Sequence, residues 1–165
     1  MATNLNVRDV MRIKVHSVPP EMPLPELQRE FLEKRVSGFP VVDQGQLVGV
    51  VSRSDVVEQL VTERQVAETT SDFYWDKGEF QEVPAASIDE IATRVGQRIE
   101  GLRVNDVMSR NVVAVRADDS LEVAARTLLA HHIHRAPVVE HGRLVGIFSA
   151  LDLVRLFIDR SVHID

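Results

Sequence analysis

One stretch of this 165-residue chain is written twice, in register and 97 positions apart. Val7-Arg8-Asp9-Val10-Met11 returns as Val104-Asn105-Asp106-Val107-Met108, Pro40-Val41-Val42-Asp43 as Pro137-Val138-Val139-Glu140, and Gly49-Val50-Val51-Ser52 as Gly146-Ile147-Phe148-Ser149, with Asp55 falling on Asp152. Across positions 7 to 57, 19 of 51 residues are identical at that offset without an insertion. A single copy of roughly 55 residues buries only a marginal core, so the two copies are expected to pack together as one module.

Charge narrows the function. The net charge is −6, whereas affinity for a phosphate backbone rests on clustered Lys and Arg, so a nucleic-acid partner is not expected. Residues 58 to 103 hold 10 acidic and 5 basic side chains, which leaves the repeats nearly neutral and the connection between them acidic. The chain has 0 Cys, so it has no disulfide framework, thiolate nucleophile or thiolate metal site. No apolar run of signal-peptide or membrane-spanning character is present, and a soluble cytoplasmic protein without a membrane partner is expected.

Periodicity changes in a fixed order inside each copy. Val112-Val113-Ala114-Val115 reads as a strand. Leu121, Ala124, Ala125, Leu128 and Leu129 then follow helical spacing, with Asp118, Asp119 and Ser120 as N-terminal cap chemistry. Pro137-Val138-Val139 and Leu144 to Phe148 are two further strands around a turn at Gly142. An amphipathic segment, Leu153 to Phe157, begins at Asp152. In the first copy Leu24, Leu27, Phe31 and Leu32 line the first helix and Gly45 occupies the hairpin turn. The predicted class is α/β, in the order strand, helix, strand, strand, helix.

A lead ending in Asp-Val-Met, a helix running into apolar-Pro-Val-Val-acid, a Gly turn, and apolar-Gly-apolar-apolar-Ser-x-x-Asp together resemble the CBS domain. Two in tandem resemble a Bateman module, with pseudo-twofold-related β-α-β-β-α motifs. The resemblance places motif 1 at 1–62, an acidic connecting segment at 63–103 and motif 2 at 104–165. It implies a regulatory module, not an enzyme, that binds AMP, ADP or ATP in clefts between its motifs. It further implies signalling to an unidentified regulated protein, homodimerisation through exposed helices, and no required metal. A scaffold with weak or empty clefts is the alternative.

The chemistry of that role can be assigned to residues. A carboxylate can accept both hydroxyls of a ribose, a nearby hydroxyl can contact sugar or phosphate, and a helix N-terminus favours phosphate. Ser52-Arg53-Ser54-Asp55 carries the fuller set, with two hydroxyls and a cation around the carboxylate, and Ser149 with Asp152 the leaner one. The same Ser and Asp would also serve any helix N-cap. By the resemblance, Ile133, His134, Arg135 and Ala136 belong to the ligand cleft, with His134 and Arg135 reaching phosphates of a nucleotide whose ribose the other copy holds. Ser17 and Val36 are assigned to ligand contact on the same basis. The first copy has Ser37-Gly38 where the second has His134-Arg135, so unequal sites are expected.

Two other chemistries are set aside. His131, His132 and His134 lack a completing carboxylate or Cys at standard spacing for zinc. His131 and His132 suit a solvated helix C-terminus, where positive charge is favoured. Ser, His and Asp are present, but nothing resembles a nucleophile elbow. In the connecting segment Phe73, Tyr74, Trp75 and Phe80 form an aromatic cluster expected to anchor the connection or contact a partner. Residues 88 to 99 have the pattern of an amphipathic helix.

Overall fold

The protein's structure, a computed structural model, is described for residues 5–72 and 88–158, with the side chains of 63–72, 88–92 and 94 left aside. The elements in chain order are α1 (Val7–Val10), α2 (Leu24–Lys34), β1 (Gly38–Asp43), β2 (Gln46–Ser52), α3 (Arg53–Asp72), α4 (Ile88–Glu100), α5 (Val104–Val107), β3 (Val115–Arg116), α6 (Leu121–Ala130), β4 (Arg135–Glu140), β5 (Arg143–Ser149) and α7 (Ala150–Ile158). The chain is mixed α/β as expected. The aromatic cluster Phe73, Tyr74, Trp75 and Phe80 lies outside the described residues.

Backbone packing divides the chain into two compact units, and each draws on both copies of the repeat. One comprises Met1–Ser17, Val42–Gly49 and Arg110–Asp165, the other Val18–Val41 and Val50–Ser109. Within the first, β4 pairs antiparallel with β5, from Arg135 opposite Ser149 to Glu140 opposite Arg143. Strand β3 runs parallel to β4. Gln46 lies opposite Arg143, so the hairpin end of β2 pairs antiparallel with β5 inside this unit.

The lead segments explain how the copies intermix. Asp9 accepts a hydrogen bond from the Asn6 N–H at 2.8 Å, and Asp106 from the Arg103 N–H at 2.8 Å. The Asp of each Asp-Val-Met therefore closes one turn of helix by satisfying a donor that the helix start leaves open. The turn of the first copy then docks among second-copy residues: Val7 N–H donates to Asp119 O at 3.0 Å and Arg8 N–H to Ala117 O at 2.9 Å. Val7 is fully buried with Val115, Ala117, Ala124, Leu128, Ala136, Val138 and Phe148 in the core of that unit. The reciprocal bonds occur in the other unit, where Val104 N–H donates to Met22 O and Asn105 N–H to Pro20 O, both at 2.9 Å. There the buried apolar residues are Val18, Leu24, Leu27, Phe31, Phe39, Val41, Val51 and Val104.

Both hairpins turn through two left-handed residues, Gln44 (φ 48°) with Gly45 (φ 84°) and His141 (φ 51°) with Gly142 (φ 78°). This is the type I′ pattern, whose twist matches that of the flanking strands. Gly142→Ala should lower stability by about 1–2 kcal/mol, because a side chain at that φ approaches the following carbonyl. Urea unfolding checks this through a reduced midpoint at unchanged slope.

Three expectations change in detail. The strand expected at Val112–Val115 is short: β3 holds Val115 and Arg116, and its first-copy counterpart is one parallel bridge from Val18 to Val41. Leu32 and Leu129 are 65% and 76% exposed, so they leave the core faces of α2 and α6 assigned to them. Their spacing places them at the rim of the apolar stripe. Finally, α3 runs 20 residues to Asp72, a continuous helix that carries the chain well into the connecting segment. The helix expected over 88–99 is α4.

Candidate ligand-binding turns

The residues assigned to ligand contact gather at two places where a strand ends and a helix begins, one in each compact unit. In the second unit, β2 passes into α3 at Ser52. The Asp55 carboxylate folds back on this junction, its Oδ2 accepting from the Ser52 N–H at 2.6 Å and the Ser52 hydroxyl at 2.7 Å. The Ser52 Oγ accepts from the Asp55 N–H at 3.3 Å in return. This is the reciprocal logic of a capping box, with Ser at the cap and a carboxylate three residues on. It engages one carboxylate oxygen. The other, Oδ1, has no partner among the described residues, and the side chain is half-buried.

The neighbouring chain is fixed by the Arg53 N–H, which donates to Ser37 O at 3.0 Å and so holds Ser37-Gly38 beside the turn. The Arg53 guanidinium serves the end of α2. Its Nη2 donates to Phe31 O at 2.9 Å, and it lies 5.7 Å from the centroid of the Phe31 ring, which is stacked with Phe39 at 5.2 Å. A cation at a helix C-terminus and over an aromatic face is favourable on both counts. Arg53 is thus tied to α2, a role that its position inside Ser-x-x-Asp did not suggest. Ser54 is exposed.

The first unit repeats the geometry. Asp152 Oδ2 accepts from the Ser149 N–H at 2.9 Å and the Ser149 hydroxyl at 2.6 Å. Ala150 N–H donates to His134 O at 2.9 Å, which holds the exposed His134 and Arg135 beside the turn. Here the second carboxylate oxygen is engaged as well: Asp152 Oδ1 lies 3.4 Å from Arg12 Nε and 3.6 Å from Arg155 Nη1. Asp152 is 4% exposed and is the buried charged side chain among the described residues. Such a group needs paired charge or hydrogen bonds to offset lost hydration, and it has both. Neither arginine was singled out from sequence. Arg12 lies 140 residues from Asp152, and only the docking of the first lead into this unit brings them together.

The remaining assigned residues are distributed as follows. Ile133 is half-buried against the core of the first unit, and Ala136 is fully buried there as part of that core, so the ligand contact assigned to Ala136 is not open at the surface. Val36 is half-buried just before β1, and Ser17 is exposed before Val18. His131 ends α6 and His132 has a left-handed φ of 53°, both exposed, as suits a helix C-terminus. Among the described residues, no group of three or more His, Cys, Asp or Glu could hold a metal ion. No described helix is long and apolar enough to cross a membrane.

The family model for the CBS domain matches residues 7–62 and again 104–159. MJ1426 of Methanocaldococcus jannaschii is 30% identical over 154 residues, covering 92% of this chain and 90% of the relative. The chloroplastic CBS domain-containing protein CBSX2 of Arabidopsis thaliana is 31% identical over 149 residues, 87% of this chain and 59% of the relative. The crystal structure of CBSX2 in complex with AMP superposes with a TM-score of 0.66 at 28% identity, covering 95% of this chain and 98% of that one. The chain spans 44% of another relative, MJ1225 of M. jannaschii.

Proposed function

The chain belongs to the CBS-domain family, and on that premise we propose that it is a regulatory module that binds an adenine nucleotide, AMP first among them, and governs an unidentified protein partner. The observation that carries this is the Asp55 carboxylate. One oxygen is fixed by Ser52, and the other is without a partner among the described residues at the start of a helix. A half-buried carboxylate with an open acceptor is suited to the paired hydroxyls of a ribose, and the helix start beside it suits phosphate. The AMP bound by CBSX2, a relative of the same fold, supports the same ligand class.

His134 and Arg135 are the proposed phosphate contacts. Both are exposed and held by the Ala150–His134 bond. Arg135→Ala should therefore weaken AMP much more than adenosine, which has no phosphate to lose. Equal losses for the two ligands in calorimetry would sink the assignment. The apolar faces of α3 (Val57, Leu60, Val61) and α7 (Leu151, Val154, Phe157, Ile158) are exposed. We assign them to a homodimer interface, which sedimentation would detect as twice the chain mass.

The function is tested by thermal shift against AMP, ADP, ATP and S-adenosylmethionine. A ligand at 100 times its Kd stabilises the native state by about 2.7 kcal/mol. No shift from any of the four would leave the chain a scaffold with empty clefts.

A further inference from the structure

The two Ser-x-x-Asp turns are alike in backbone and opposite in the charge that surrounds them. The residue after each Asp-Val-Met is Arg12 in the first lead and Ser109 in the second. Arg12 exchanges backbone hydrogen bonds with Ile147, and Ser109 exchanges them with Val50, every one at 2.9 Å. Since Ile147 and Val50 are equivalent, Arg12 occupies beside Asp152 the place that Ser109 occupies in the unit of Asp55. Three residues into the following helix, Arg155 likewise corresponds to Glu58. Asp152 therefore has two guanidiniums at its outer oxygen, 3.4 and 3.6 Å away. The equivalent positions around Asp55 supply a hydroxyl and a carboxylate.

We infer that Arg12 is the specificity-determining residue that restricts the chain to one nucleotide, by withdrawing Asp152 from ligand contact with the help of Arg155. The inference rests on the nucleotide function proposed above. Its physical basis is a comparison of partners. A ribose approaching Asp152 would have to displace two guanidiniums whose charge offsets the lost hydration of this buried carboxylate, and a hydroxyl brings no charge in their place. At Asp55 the open oxygen has no partner among the described residues to be displaced. The Asp152 carboxylate becomes a clamp that ties the first lead to α7.

Isothermal titration of the full chain with AMP tests this. The expected result is one AMP per chain, lost or strongly weakened in Asp55→Ala and kept at unchanged affinity in Asp152→Asn. The double exchange Arg12→Ser with Arg155→Glu, which copies the surroundings of Asp55, should raise the stoichiometry to two. Two equal sites in the unmodified chain, a loss from Asp152→Asn matching that from Asp55→Ala, or a stoichiometry of one in a folded double variant would overturn the inference while leaving nucleotide binding intact. If the double variant does not fold by circular dichroism, the Asp152→Asn comparison decides. Absence of any AMP heat in the unmodified chain would instead remove the nucleotide function, and the inference with it.

Discussion

Replacing Asp55 by alanine is expected to weaken AMP binding by roughly 10- to 100-fold, the loss that follows from removing a charged acceptor worth about 1.5–3 kcal/mol. The carboxylate has two tasks that the variant separates. One oxygen takes the Ser52 N–H and hydroxyl at 2.6 and 2.7 Å, a capping contact that exists without ligand. The other is the proposed ribose acceptor. Losing the cap costs stability of about 1 kcal/mol, so the variant should melt earlier yet remain folded. Asp55→Asn refines the test. Its amide oxygen can still accept from Ser52, while the remaining NH2 can only donate to a hydroxyl oxygen and carries no charge. Affinity that falls with Asn as well as Ala assigns the loss to the outer oxygen. Unchanged AMP affinity in a folded Asp55→Ala protein would leave this residue a helix cap alone.

The largest effect on stability is expected from Phe148→Ala. The ring is fully buried among Val7, Val115, Ala117, Ala124, Leu128, Ala136 and Val138. Truncating a buried Phe costs about 3–5 kcal/mol in lost transfer energy and unfilled volume. That is a large share of the roughly 5–15 kcal/mol by which domains are stable. Denaturant unfolding should show it, and Phe148→Leu should restore much of the loss. Hydrogen exchange adds a sharper readout. Val7 and Arg8 donate to Asp119 and Ala117, so their protection should fall together with that of β4 and β5, although they lie in the other copy. Protection of residues 7 to 12 that instead follows residues 38 to 41 would contradict the packing described.

Much of this fold could be read in advance, because the features that announced it are local. Gly45 and Gly142 marked hairpins whose turns need φ above zero, and Ser120 marked the start of α6, where its hydroxyl accepts from the Val123 N–H at 3.3 Å. The Ser-x-x-Asp turns were legible for the same reason: a Ser and an Asp three residues apart close a helix start in any context. The exchange of leads was not legible. Val7 and Val104 are the same residue in pentapeptides that differ only at Arg8 and Asn105, and either could fill either core. The Arg12–Asp152 pair depends on that exchange, so it was hidden with it. Leu32 and Leu129 show a different limit, since eight residues at 100° each turn a side chain 80° away from the first position of the stripe. Leu129 could be placed outside the core only once Leu128 was seen to fill it.

The lead exchange also bears on ancestry. A chain with a single copy could satisfy the same bonds by lending its lead to an identical neighbour, as in a swapped pair, at little cost in new contacts. In such a pair every substitution appears at both turns at once. An arginine at position 12 would then have closed both carboxylates, leaving nothing open to a ribose. Only when two copies are joined in one polypeptide can one lead carry Arg12 and the other Ser109, so covalent duplication is what would bring the proposed division of labour between the two turns within reach of single mutations.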